Sequence, residues 1–216
     1  MTDICNYNDQ TLGEEISNAI SHGLGAAISI AGCVVMIVTA VINHKAPINV
    51  VGVSLYGASL ILLYLTSCLY HSLAHNKGKK VFQILDHCMI FILIVGTYTP
   101  ICFTIGGWLG WTIWGINMTC TVVGVVFNAI NLQKWHKLSL VLYVIMGWSI
   151  VMGGPKVFPL IPLEGWAALL LGGIFYTVGI IFYRAKNPKY MHFIWHLFVL
   201  AGSICHFFFV LNYCCY

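Results

Sequence analysis

Apolar residues fill this chain in long blocks, with no two-residue alternation and few polar interruptions. Seven blocks can be drawn, at residues 18–42, 49–72, 81–105, 109–131, 138–154, 164–183 and 191–213. Most reach the ~20 apolar residues that a helix needs to cross a hydrocarbon core. Strands would alternate over ~10 residues, and these runs do not, so helices are the spanning form the pattern predicts. Pro155, Pro159 and Pro162 break the chain between the fifth and sixth blocks, and Gly106-Gly107 breaks it between the third and fourth. The expected architecture is an all-α membrane protein: a seven-transmembrane helix bundle over 18–213 behind a short N-terminal tail at 1–17.

Composition sharpens this reading. Hydrophobic residues make up 60% of the chain and charged residues 7%, against roughly 25% charged in a soluble domain. Such a chain cannot coat a globule with polar surface. Its net charge of +4 is no sign of nucleic-acid binding, because the cations lie singly or in threes between apolar blocks. Lys77, Lys79, Lys80, Lys134, Lys137, Arg184, Lys186 and Lys189 fall in connections on one side, whereas Lys45 and Lys156 alone fall on the other. By the positive-inside rule the N-terminus is cytoplasmic and the C-terminus extracytoplasmic. Trp108, Trp111, Trp114 and Trp166 then lie near the outer interface as an aromatic belt.

Asp3, Asp9, Glu14 and Glu15 precede the first block and no Lys or Arg does, so no cleavable secretory signal is expected. Nine cysteines are present, none in a CxxC pair and most inside apolar blocks. They read as small hydrophobes rather than a disulfide framework. The connections are short. Whatever the protein acts on is therefore a lipid, a small solute, an ion, or a partner supplied by another chain.

Ligand-type side chains are costly in lipid and need a reason to be there. Several gather at one depth. Glu15, Asn18 and His22 lie at the inner end of the first helix, Ser67 and His71 at the inner end of the second. Asp86 and His87 open the third, and His192 and His196 open the seventh. His192 and His196 stand at i and i+4, so they share a helix face about 6 Å apart along the axis. Ser67 and His71 have the same relation. Three imidazoles, from His71, His192 and His196, would leave one tetrahedral position open, the pattern of catalytic zinc. Magnesium and calcium favour oxygen ligands instead. Asp86 would accept a proton from the metal's water or ligate directly. Ser67 would orient a substrate oxygen or support a ligand from behind.

The remaining polar residues read more blandly. Glu15, His22 and His206 are candidates to support the ligands, with a Glu15–His22 pair on one face of the first helix. For His22 a plain polar helix contact is the leading reading. His206 lies about 15 Å beyond His196, too far to share its ion. His87, adjacent to Asp86, is expected to face elsewhere. His44, His75 and His136 are expected to be solvated in loops. Gly96-Thr97-Tyr98-Thr99-Pro100 is read as a structural proline segment within the third helix.

These residues resemble the hemolysin III family, within the progestin and adipoQ receptor superfamily. The resemblance covers nearly the whole chain. It is carried by Glu14-Glu15-Ile16-Ser17-Asn18, Ser21-His22-Gly23, Ser67-Cys68-Leu69-Tyr70-His71, Asp86-His87, Gly96–Pro100, Gly147-Trp148, and His192-Phe193-Ile194-Trp195-His196 followed by His206. The short loops look like the bacterial branch. The resemblance implies a seven-helix bundle in a bacterial plasma membrane, with zinc on the cytoplasmic side. It implies that His71, His192 and His196 match the zinc ligands, with Asp86 holding the zinc-bound water and Ser67 beside it. It also implies kinship with alkaline ceramidases, which are zinc-dependent lipid amidases, and a role in membrane lipid homeostasis. The family's name comes from haemolytic, pore-forming activity. Three readings follow: a zinc hydrolase of a membrane lipid amide or ester, a pore-former, and a sensor or homeostasis factor with structural zinc.

Overall fold

The computed structural model describes residues 10–185 and 187–216. Asp3, Cys5, Asp9 and Lys186 lie outside that set. The described residues form seven α-helices: α1 (Leu12–Ile42), α2 (Pro47–Ser72), α3 (Lys77–Ile105), α4 (Gly107–Gly147), the single-turn α5 (Gly154–Val157), α6 (Leu163–Arg184) and α7 (Met191–Cys214). Six of them, all but α5, are long and apolar enough to cross a membrane.

The helix ends follow local capping. Thr11 Oγ1 accepts from the Glu14 N–H while the Glu14 carboxylate reaches back to the Thr11 N–H. This reciprocal capping box starts α1 at Leu12, earlier than the expected residue 18. Asn76 caps the Lys79 N–H at 2.9 Å, so α3 starts at Lys77 rather than at 81. The turn between α3 and α4 places Gly106 and Gly107 at φ of 64° and 57°, a region that suits residues without a Cβ.

The fourth apolar block, and the fifth as far as Gly147, lie within one 41-residue element, broken at Asn131 (φ −162°, ψ 91°). This break reverses the chain. Ser139 Oγ donates to Asn128 Oδ1 at 2.7 Å, whereas eleven residues of straight helix would separate them by about 16 Å. The Phe127 and Trp135 rings stack across the same bend, and Asn131 Oδ1 caps the Lys134 N–H of the second limb. His136, expected in a solvated loop, is instead 4% exposed on the second limb and lies parallel to the Tyr183 ring. The bend falls five residues before it, not around it. The second limb stops at Gly147 rather than at 154, because Tyr98 OH donates to the Gly147 carbonyl and accepts from the Ile150 N–H. That interception assigns Tyr98, within the Gly96–Pro100 segment, a structural role. The chain continues through 3-10 turns at Ser149–Gly153 and Phe158–Leu160 around α5.

Helix α1 is inverted relative to one in a soluble protein. On α1, Ile16, Ile20, Leu24 and Ile28 face outward at helical spacing, while Glu15, Asn18, Ser21, His22 and Ser29 are buried. Outward apolar surface is stable in lipid, and inward polar groups then partner one another. Small residues let the helices close. A Cβ on Gly96 of α3 would overlap Ser59 of α2, and one on Gly124 of α4 would overlap the Phe91 ring of α3. Helices α1, α2, α3 and α7 pack together, and α6 packs on α7. Trp108 and Trp111 are exposed, as a belt requires, but Trp166 turns inward and donates its indole N–H to the Phe158 carbonyl. Eight cysteines among the described residues are free thiols.

Candidate metal centre

Four helix ends meet at one end of the bundle: the start of α1, the end of α2, the start of α3 and the start of α7. There His71, His192 and His196 bring one ligating atom each to within 4.8 Å of one another. Nitrogens on one tetrahedral zinc lie roughly 3.4 Å apart, so about 1 Å of closure would seat a single ion. Ring centroids stand 5.2 Å apart for His71–His192, 5.1 Å for His71–His196 and 4.7 Å for His192–His196. Among the described residues no other set of three or more His, Cys, Asp or Glu side chains converges this way.

Hydrogen bonds decide which nitrogen His71 and His196 turn to the centre. His71 Nδ1 lies 2.7 Å from Glu15 Oε2. An ionised carboxylate only accepts, so Nδ1 carries a proton, and in the neutral ring Nε2 keeps its lone pair. That Nε2 is buried and has no hydrogen-bond partner. A buried imidazole nitrogen left without one is expensive unless something else satisfies it. His196 follows the same logic. Ser21 Oγ gives its one proton to the Asn18 carbonyl at 2.9 Å. It therefore accepts from His196 Nδ1 at 3.1 Å, which leaves His196 Nε2 as the unprotonated atom. Two rings are thus held in the tautomer that binds metal, each by a partner behind it, the usual support of a ligating histidine. The donor set fits zinc: three imidazoles with their ligating atoms drawn to one centre, and His71 Nε2 buried there without a hydrogen-bond partner.

Glu15 extends the arrangement. Its Oε1 accepts from Lys79 Nζ at 2.8 Å, and Lys79 also donates to the Leu73 carbonyl and lies over the Tyr70 ring. Lys79 is only 7% exposed. The positive-inside count treats it only as one of the cations in the connections. Asn76 draws the start of α3 one turn earlier than hydropathy alone, and so turns Lys79 inward. The expected Glu15–His22 pair does not form, because Glu15 is engaged by His71 and Lys79. His22 instead stacks on His196, with centroids 3.5 Å apart and planes 8° from parallel.

A small cavity of about 30 Å³ adjoins the imidazoles, lined by His22, Ser67, Asp86, His87, His192 and His196 among others. Ser67 and Asp86 thus come to the site beside the histidines. So does His87, contrary to the expectation that it faces elsewhere. Neighbours on a helix point about 100° apart, and the cavity wraps enough of α3 to meet both. His87 Nδ1 meets the Gln83 carbonyl and its Nε2 meets Tyr183 OH at 3.2 Å. His206 stands apart from the three rings. Its Nε2–H donates to the Leu169 carbonyl, and it lines a larger apolar cavity of about 100 Å³. The two cavities share Leu63, Ile90, Tyr183, Trp195 and Val199 as walls.

The model of the haemolysin-III related family matches residues 10–207. Hemolysin-3 of Bacillus cereus is 42% identical over 214 residues, 99% of this chain and 97% of that protein. The hemolysin-3 homolog of Bacillus subtilis (strain 168) is 41% identical, over 94% of this chain and 96% of its own. The human monocyte to macrophage differentiation factor is a more distant relative, 24% identical over 74% of this chain and 68% of its length. With its long apolar helices and this match along nearly the entire sequence, the chain is a multi-pass integral membrane protein and belongs to the haemolysin III family.

Proposed function

We propose that the protein is a zinc-dependent hydrolase acting on an amide or ester of a membrane lipid, and that it serves membrane lipid homeostasis. One observation carries the reading: three imidazoles converge with two of their Nε2 lone pairs fixed toward a shared centre by Glu15 and Ser21. His71, His192 and His196 would hold the ion. Bound zinc supplies a Lewis acid and lowers the pKa of water to ~7.

The chain's own residues supply the rest. Asp86 and Ser67 line the cavity next to the imidazoles. Asp86 takes the proton of the attacking water and returns it to the leaving nitrogen or oxygen as the C–N or C–O bond breaks. Ser67 positions the carbonyl. The adjoining apolar cavity, with shared walls, accommodates the acyl chain and keeps bulk water from the site. We place the site at the cytoplasmic face on the positive-inside count, with each limb of α4 crossing the bilayer separately to make seven crossings in all.

The test uses full-length protein purified in detergent, its zinc measured, incubated with ceramides and matched esters. Release of fatty acid by wild type is expected, with loss in His192→Ala and in Asp86→Asn. Asp86→Asn should retain zinc. No release at full zinc occupancy would overturn the hydrolase. Zinc that raises the melting temperature without turnover would favour the structural-zinc sensor instead. The relatives named hemolysin-3 favour a cytolytic reading. Liposome leakage that survives His192→Ala would support it.

A further inference from the structure

A third cavity, of about 410 Å³, opens at the α2–α3 connection. Its walls are Tyr70, His75, Asn76, Lys77, Lys79, Lys80 and Gln83, and no carboxylate is among them. We propose that this pocket binds a phosphate group, and that the phosphate is the headgroup of an anionic lipid.

Charge is the first support. Lys79 is neutralised by Glu15. Lys77 and Lys80 are exposed and form no ion pair among the described residues. The pocket therefore keeps two uncompensated cations beside the first turn of a 29-residue helix, whose free N–H groups and dipole add to the same sign. Position is the second. Val81, directly after these lysines, is exposed and apolar, so the pocket lies where the lipid-facing surface of α3 begins. That is the level of a lipid's phosphate, and basic pockets there bind acidic headgroups. Adjacency is the third. Tyr70 lines both this pocket and the small cavity beside the imidazoles, and Lys79 is joined through Glu15 to His71. Asp86 lies seven residues along α3 from Lys79, about 10 Å. A lipid whose phosphate rests among these lysines points its acyl linkage toward the cavity of Asp86 and Ser67. That last step rests on the hydrolase reading; phosphate binding does not.

The experiment measures binding by full-length protein in detergent micelles, independent of zinc content and turnover. Three probes are compared: a short-chain phosphatidic acid, a phosphatidylcholine of the same chains, and inorganic phosphate. Wild type should bind phosphatidic acid tightest, with inorganic phosphate competing weakly at the same site. Inorganic phosphate binding as tightly as the lipid would overturn the lipid source. The variant Lys77→Gln/Lys80→Gln spares the Lys79–Glu15 pair and should weaken phosphatidic acid binding about 25-fold, roughly fivefold per lysine. The variant Lys134→Gln/Lys137→Gln, which removes two cations near the bend of α4, should not. Lys77→Arg/Lys80→Arg should restore binding if the Gln variant proves unstable. Equal loss in both Gln pairs would reduce the effect to general surface charge and overturn the pocket. So would phosphatidic acid and phosphatidylcholine binding alike to wild type.

Discussion

Glu15 is where the candidate metal centre is most exposed to a single atomic change. Replacing it with glutamine keeps the shape and exchanges one acceptor oxygen for an NH₂ donor. Wild-type Glu15 accepts from two donors at once, His71 Nδ1 at 2.7 Å and Lys79 Nζ at 2.8 Å. Glutamine can accept from one and must present N–H to the other. If the NH₂ faces His71, Nδ1 becomes the acceptor, the proton moves to Nε2, and the ligand lone pair is lost. If it faces Lys79, a largely buried ammonium loses its counter-charge. Both faults are measurable. Removing a partner behind a metal-bound histidine typically lowers affinity 10- to 100-fold. Breaking a buried ion pair from one side costs about 3–5 kcal/mol. The lower end applies here, since Lys79 keeps the Leu73 carbonyl and the Tyr70 ring.

The two faults separate in a double variant. Glu15→Gln/Lys79→Gln removes both charges, so most of the lost stability should return. Zinc affinity should not return, because His71 still lacks its carboxylate. Thermal unfolding of the metal-free proteins reads the first quantity, and zinc competition against a chromophoric chelator reads the second. Folded Glu15→Gln protein with wild-type zinc affinity would refute the assignment of the His71 tautomer. Stability and affinity recovering together in the double variant would refute the separation of roles.

Ser21→Ala removes the acceptor behind His196 Nδ1 and should lower zinc affinity about tenfold, with little change in the unfolding of metal-free protein; chelator competition checks both parts. A Cβ on Gly124 would enter the Phe91 ring, which is wholly buried, so Gly124→Ala should destabilise by about 1–3 kcal/mol through overpacking, read as a lower melting temperature against a neutral Gly115→Ala control, where the added Cβ meets nothing. If the limbs of α4 cross separately, single cysteines introduced at Lys134 and at Lys156 into a cysteine-free background should react with an impermeant maleimide from opposite sides of intact vesicles, and labelling from the same side would remove the seven-crossing arrangement.

The three candidate ligand histidines were legible because lipid leaves a polar side chain so few options. The spacing of His192 and His196, with His71 at matching depth, sufficed to gather them. The face carrying Ser67 could be read in the same way, since residues 67 and 71 are one turn apart. What supports the ligands was harder to see. Lys79 carries no motif of its own, and nothing in Ser21-His22-Gly23 singles out Ser21 as a partner of His196; their roles depend on where a helix begins. Asn76 as a cap three residues before Lys79 is the signal that hydropathy overrode. With α3 starting at Lys77, positions 79, 83 and 86 fall on one face at helical spacing. The reversal at Asn131 was legible only as an apolar boundary. Its position depends on a bond between Asn128 and Ser139, two residues that a hydropathy profile counts merely as polar dips.

Hydrophobicity fails on α1 for a general reason. In water, the apolar stripe marks the buried face of a helix. In a bilayer that contrast is lost or reversed, because lipid accepts large apolar side chains as readily as a protein core does. On α1 the buried face is marked instead by Glu15, Asn18, Ser21, His22, Gly25, Ala26 and Ser29, small or polar residues at helical spacing. Each is costly or unhelpful against lipid, and each either meets a partner or lets a neighbour come close. Gly25 admits the Tyr64 ring, and Tyr64 OH bonds Ser203 Oγ on α7. The same rule that packs α1 against α2 and α7 thus delivers Glu15 and Ser21 to the histidines. In this chain, what aligns the helices and what aims the ligands is one set of inward residues.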